Sequence, residues 1–146
     1  MAKSLGQLLY HNNEKRLPSS NAQIVYRFVW LESRGLNVII KLYLYNNQLI
    51  IESKGVGSEE SDRKMLPMTK LKEFEAILGK CQFWAQKSVT ASMISTDGSI
   101  WLIEGQNGKQ YHFMYRQSPY AKDSTGMYPI GEWLIRNSLG PNVAIY

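Results

Sequence analysis

Apolar residues recur with a two-residue period in three early stretches of the chain. In residues 23–31, QIVYRFVWL, Ile24, Tyr26, Phe28 and Trp30 alternate with Val25, Arg27, Val29 and Leu31. In residues 37–45, NVIIKLYLY, Val38, Ile40, Leu42 and Leu44 define a drier side and Ile39, Lys41, Tyr43 and Tyr45 a wetter one. The chain returns through residues 48–53, QLIIES, after Asn46-Asn47, a pair able to take the positive φ of a tight turn. Period two with β-branched and aromatic enrichment predicts an antiparallel meander of strands. Residues 54–67, KGVGSEESDRKMLP, break the alternation with glycines, serines and clustered charge, and read as a long surface loop.

The period becomes helical in residues 69–80, TKLKEFEAILGK, where Leu71, Phe74, Ile77 and Leu78 share one side. Thr69 is placed to cap the start and Gly79 to take the left-handed position after the end. A second stripe of Ile130, Trp133 and Leu134 follows Pro129 and stops at Gly140-Pro141, which predicts a C-terminal helix. Phe83 and Trp84 are adjacent and cannot share one side of a strand, so one belongs to the core and the other to its rim. Residues 88–96 read as a weak edge strand or an ordered loop, and residues 142–146 as an edge strand or a tail packed on the core. The order β-β-β-α-β-β-α predicts one α+β domain over residues 1–146, an antiparallel sheet with its helices on one face. Residues 1–20 read as a loosely attached segment ending at Pro18-Ser19-Ser20.

The hairpin in residues 97–119, DGSIWLIEGQNGKQYHFMYRQSP, carries the candidate chemistry. Its strands, 99–105 and 109–116, flank Gln106-Asn107-Gly108. A two-residue turn at Asn107-Gly108 sets Glu104 opposite Tyr111 and puts His112 on one face with Trp101 and Ile103. A three-residue loop with Gly108 left-handed sets Glu104 opposite Gln110 and makes Glu104 and His112 diagonal neighbours. One residue of slip exchanges the two faces. The first register makes His112 a structural imidazole beside aromatics. The second makes Glu104 and His112 an acid–base pair, with Arg116 set to bind an anion.

Composition narrows these options. The 146 residues are 44% hydrophobic, enough for a packed core without staples. Lys and Arg exceed Asp and Glu by 17 to 12, but the basic residues are scattered, which argues against a dedicated phosphate-binding face. Arg27 and Lys41 beside strand aromatics would be needed to stack bases. No base-stacking sheet motif accompanies them, so a protein partner ranks above nucleic acid. The single cysteine, Cys81, excludes an intramolecular disulfide and reads as a small buried hydrophobe. The only other histidine is His11, and no paired-histidine motif occurs, so no metal is expected. Gly55-Val56-Gly57 lacks the third glycine of a dinucleotide loop, and no cofactor is expected. Neither G-x-S-x-G nor S-x-x-K is present to supply a nucleophile. No apolar run approaches the ~20 residues of a spanning helix or the ~7–15 of a secretory core. Cytoplasmic residence is therefore expected, or periplasmic residence if a leader has been removed.

The aromatics Tyr26, Phe28, Trp30, Tyr43, Tyr45, Tyr111, Phe113 and Tyr115 outnumber what one core face needs, so some should reach the surface. The candidates for partner contact are Tyr43, Tyr45, the acidic group Glu59, Glu60 and Asp62, and Tyr120. The acidic group lacks the glycine-centred spacing of a calcium loop. Trp101, Glu104, Tyr111, His112 and Arg116 form the candidate structural network of the hairpin.

The spaced set Asp97-Gly98, Trp101, Glu104-Gly105, Tyr111-His112, Arg116 and Ser118-Pro119, following Phe83-Trp84, resembles the hairpin of a group of small bacterial proteins. Some members of that group look like immunity proteins beside secreted antibacterial toxins. The likeness spans residues 83–139 and departs from the group in lacking a proline after Phe83-Trp84. It implies a binding protein that neutralises a toxin by direct contact, and it assigns no role to Glu104, His112 or Arg116.

Overall fold

The computed structural model describes residues 17, 24–32, 35, 37–89, 99–117, 119 and 126–145. Strands β1 (Ile24–Glu32), β2 (Asn37–Tyr45), β3 (Gln48–Gly55) and β4 (Ser61–Leu66) lead into helix α1 (Met68–Lys80) and a 3-10 turn (Phe83–Ala85). Then come β5 (Ser99–Asn107), β6 (Gln110–Gln117) and helix α2 (Tyr128–Leu139). The six strands make one antiparallel sheet in the order β4-β3-β2-β1-β5-β6. This is the expected α+β class with one strand more than the alternation indicates. The expected loop before α1 contains β4, whose sequence SDRKML is exposed along nearly its whole length. Backbone pairing with β3 from Leu49↔Leu66 to Lys54↔Ser61 holds it, and side-chain burial does not. An edge strand exposed on both faces leaves no apolar period to read. The N-terminal segment expected over residues 1–20 lies outside the described residues, apart from Leu17.

Turn chemistry sets the two hairpins. Asn46 and Asn47 have φ of 50° and 61°, so Tyr45↔Gln48 closes on a type I′ turn. In the second hairpin Asn107 pairs with Gln110, leaving Gly108-Lys109 as the turn, with Gly108 at φ 63°. A glycine at the first central position is the II′ pattern.

Helix α1 begins one residue before Thr69, after an extended Pro67, and no side chain caps it. Gly79 stays inside the helix, and the left-handed residue is Gln82, at φ 53°, three positions later. Pro129 sits in the first turn of α2, and Gly140 ends it at φ 108°. The tail packs down, with Val143 and Ile145 against the core.

Both helices cover one sheet face. Tyr26, Phe28 and Trp30 of β1 are all buried there, together with Leu42, Ile51, Trp101 and Ile103, under Phe74, Leu78, Ile130 and Leu134. Tyr26 meets the edge of Phe74 at 5.0 Å, and Trp101 stacks on Tyr128 at 5.6 Å. Phe83 is fully buried and Trp84 lies at the rim, as adjacency requires. The opposite face carries a second cluster of Val29, Ile39 and Leu102, flanked by Leu31, Val56, Phe113 and Tyr115. Among the described residues no helix packs on that face. Ile39 is therefore buried where the alternation placed a wetter side. The aromatic surplus divides between the two faces: Tyr26, Phe28 and Trp30 are buried, Tyr43, Tyr111, Phe113 and Tyr115 are partly exposed, and Tyr45 is exposed.

Gly131 marks the closest approach of helix to sheet. A Cβ there would clash with the Trp101 ring, 2.6 Å from Cε3 and closer still to Cζ3. Glycine to alanine inside a helix gains about 1 kcal/mol by propensity, whereas overpacking a core costs about 1–3 kcal/mol. With an immobile indole as the obstacle the clash wins. Gly131→Ala should lower stability by about 1–2 kcal/mol, read as a lower urea midpoint at unchanged slope.

Candidate functional site

The β5–β6 register decides what the hairpin residues can do. Glu104 pairs with Phe113, Gly105 with His112 and Trp101 with Arg116. The turn lies one residue further along than the two-residue turn expected at Asn107-Gly108, and it is not the three-residue loop 106–108. The faces nonetheless match the two-residue alternative: His112 shares the helix side with Trp101 and Ile103. Glu104 and Tyr111 point to the other side. The candidate network is thus two separate arrangements on opposite faces of the sheet.

On the face without a helix, Glu104 is 7% exposed and Arg27 of β1, directly opposite it, 3%. Arg27 donates from Nε at 2.8 Å and from Nη2 at 2.5 Å to Glu104 Oε2. Tyr111 donates from its hydroxyl to Glu104 Oε1 at 2.9 Å. Both carboxylate oxygens are therefore occupied, as a buried charge requires. The Tyr111 phenol is pushed up, first by burial and then by the charge of Glu104 and their hydrogen bond. Arg27 was the residue the alternation undervalued. Its signal was a lone guanidinium on a strand whose two sides are otherwise apolar, where only a carboxylate opposite could support it.

On the helix side, His112 meets Phe83 edge to face, centroids 5.2 Å apart. Its Nε2 is buried with no hydrogen-bond partner among the described residues. The space over Gly105, its cross-strand partner, is filled by aromatic rings, since a Cβ there would lie 2.9 Å from Phe83 Cε1 and 3.0 Å from Tyr26 Cδ1. Arg116 turns outward to the strand edge and donates to the carbonyls of Lys87 at 2.7 Å and Ser88 at 3.1 Å. Glu104, His112 and Arg116 therefore do not converge, and the described residues hold no cluster of metal-ligating side chains.

The candidate contact residues fall in two places. Tyr43 is half-buried and donates to Glu52 Oε2 at 3.0 Å, and Arg63 donates to the same oxygen at 3.1 Å. Lys41 lies 3.9 Å from the other oxygen. Tyr43, Ile50 and Met65 form a row across β2, β3 and β4, and Met65 is 68% exposed. Tyr45, in the next row, is 60% exposed. Glu59 and Glu60 are exposed at the far end of β4, and Asp62 is exposed on the helix side of that strand, so the acidic group does not join the tyrosines. Tyr120 lies outside the described residues. Met65 carried no periodic signal, because its strand had none. Of the two cations a base-stacking surface would use, Arg27 is buried on Glu104, and Lys41 lies beside Glu52.

No family model matches the chain, and no curated protein is significantly similar to it. No helix among the described residues is long and apolar enough to cross a membrane.

Two outcomes test this geometry. Arg27→Met leaves the Glu104 carboxylate buried and uncompensated, which should cost about 3–5 kcal/mol; Arg27→Met with Glu104→Leu should recover most of that in chemical denaturation. Tyr26 is pushed up to about 12, by burial first and by the Glu75 charge second. Between the ordinary phenol value of 10.0 and about 12, the unfolded chain releases this proton and the folded chain keeps it. Stability should thus hold up to pH 10 and fall from there to about 12, with a shallower decline in Tyr26→Phe.

Proposed function

We propose that this chain is a protein-binding module that acts by contact. On the likeness of its hairpin, we take it to be an immunity protein that neutralises a bacterial toxin by covering it. The observation that carries this reading is the exposed pair Tyr45 and Met65 beside Tyr43 and Arg63. Tyr, Met and Arg are the residue types enriched in protein interfaces. Glu52 holds the Tyr43 and Arg63 side chains in place before any partner arrives, which reduces the ordering cost of binding. In this reading the chain performs no chemistry of its own. A formal charge of +5 favours a neutral or acidic partner surface over a strongly basic one.

Co-expression with the product of the adjacent gene tests the proposal. The chain should relieve growth arrest by that product and co-purify with it. Tyr45→Ala combined with Met65→Asp should abolish both effects while leaving the circular dichroism spectrum unchanged. Protection that survives the double substitution would remove this surface from consideration, and a neighbour without toxicity would remove the immunity reading.

A further inference from the structure

We propose that a second copy of this chain pairs with the first along the β4 edge, antiparallel, about a two-fold axis at Arg63. The two edges of the sheet are not alike. On β6, Tyr115 N–H donates to the Ser88 carbonyl at 2.7 Å, and the Tyr115 carbonyl accepts from Arg116 Nη1 at 2.8 Å. On β4, no described strand lies on the outer side.

Which β4 groups point outward follows from the hairpin before it. Tyr45↔Gln48 closes a two-residue turn and is a hydrogen-bonded pair. Antiparallel ladders alternate, so Leu49, Ile51 and Ser53 aim their backbone groups at β4, onto Leu66, Lys64 and Asp62. Ser61, Arg63 and Met65 then present N–H and C=O groups to the outside. The ladder is continuous, without a bulge, and the strand has no proline before Pro67. Such an edge is a template for a further strand.

Charge selects the register. A two-fold axis normal to the sheet keeps each face on its own side, so facing residues must be both odd or both even. An axis at Asp62 sets that carboxylate against its own copy, and an axis at Lys64 does the same with two ammonium groups. An axis at Arg63 places Asp62 opposite Lys64 twice, on the helix side, where Asp62 is exposed. Lys64 gives one of its three donors to the Ser138 carbonyl at 2.9 Å and keeps two. On the other face the two Arg63 side chains meet near the axis, each already held on a Glu52 carboxylate. The outward pairs Arg63–Arg63 and Ser61–Met65 are hydrogen-bonded ones in this register. The interface is small, so the dimer forms in the micromolar range.

The test is sedimentation equilibrium on the purified full chain, with no toxin present, so that it stands or falls separately from the proposed function. The wild type should show a monomer–dimer equilibrium across the micromolar range. Arg63→Pro removes an outward N–H as well as the guanidinium held on Glu52, and keeps the ladder to β3; it should weaken the dimer at least about 10-fold relative to Arg63→Ala, which lacks the guanidinium but keeps the N–H, at unchanged circular dichroism. Asp62→Lys and Lys64→Asp should each be monomeric alone and should form a heterodimer when mixed, seen by native mass spectrometry. A monomeric wild type would overturn the proposal, as would a dimer insensitive to Arg63→Pro, or charge variants that stay apart when mixed. A monomeric wild type whose retention of the toxin is lost in Arg63→Pro but kept in Arg63→Ala would assign the edge to the toxin's strand instead.

Discussion

A guanidinium and a carboxylate withdrawn from water fix how this sheet is assembled. Arg27 and Glu104 face each other across β1 and β5, 77 residues apart in sequence, at the junction between the four-stranded meander and the hairpin. Removing each charge from water costs several kcal/mol, and the pairing offsets that cost only if the geometry is satisfied. A slip of two positions along β1 would put Glu104 against Val25 or Val29. A slip of one would turn it into the aromatic core. Neither alternative supplies a counter-charge, so the register of the central strand pair is narrowly specified. Tyr111 closes the second oxygen from β6 and extends the constraint to a third strand.

Much of this architecture is legible in the chain because periodicity reports one-sided burial. β1, β2 and α1 each carry an apolar side at the correct period, and the asparagine pair and Gly108 announce their turns. Three features are not legible, each for a physical reason. β4 pairs through its backbone and leaves every side chain but Leu66 exposed, so residues 61–66 read as loop. The end of α1 runs through Gly79, because a glycine within a helix is only modestly unfavourable and the left-handed turn falls on Gln82 instead. The turn sits at Gly108-Lys109, one residue beyond Asn107-Gly108, which moves the partner of Glu104 by two positions, from Tyr111 to Phe113, since both dipeptides satisfy a tight hairpin. The face assignment survives that shift because the number of residues between paired positions keeps its parity.

The candidate chemistry shows the same divide. The hairpin polar residues look like one constellation when written in a line, and the pleat separates them. Glu104 and Tyr111 serve the seam with Arg27, His112 packs on Phe83, and Arg116 leaves the sheet for loop carbonyls. The most exposed large hydrophobic side chains lie on the same face as Glu104, toward the β4 edge. There Tyr45 and Met65 remain exposed beside a Tyr43–Glu52–Arg63 frame that is already organised.

The guanidinium of Arg116 has a wider effect than the carbonyls it touches. With Ser88 and Arg116 occupying Tyr115, the β6 border is closed part-way along, and a free strand cannot run its length. Open-ended growth into a filament requires each subunit to offer two complementary borders, one to give and one to receive. Among the described residues this sheet offers one. Strand-to-strand joining through the β4 border is then spent in a single closed event, and among the described residues no second open border extends it into a chain of subunits.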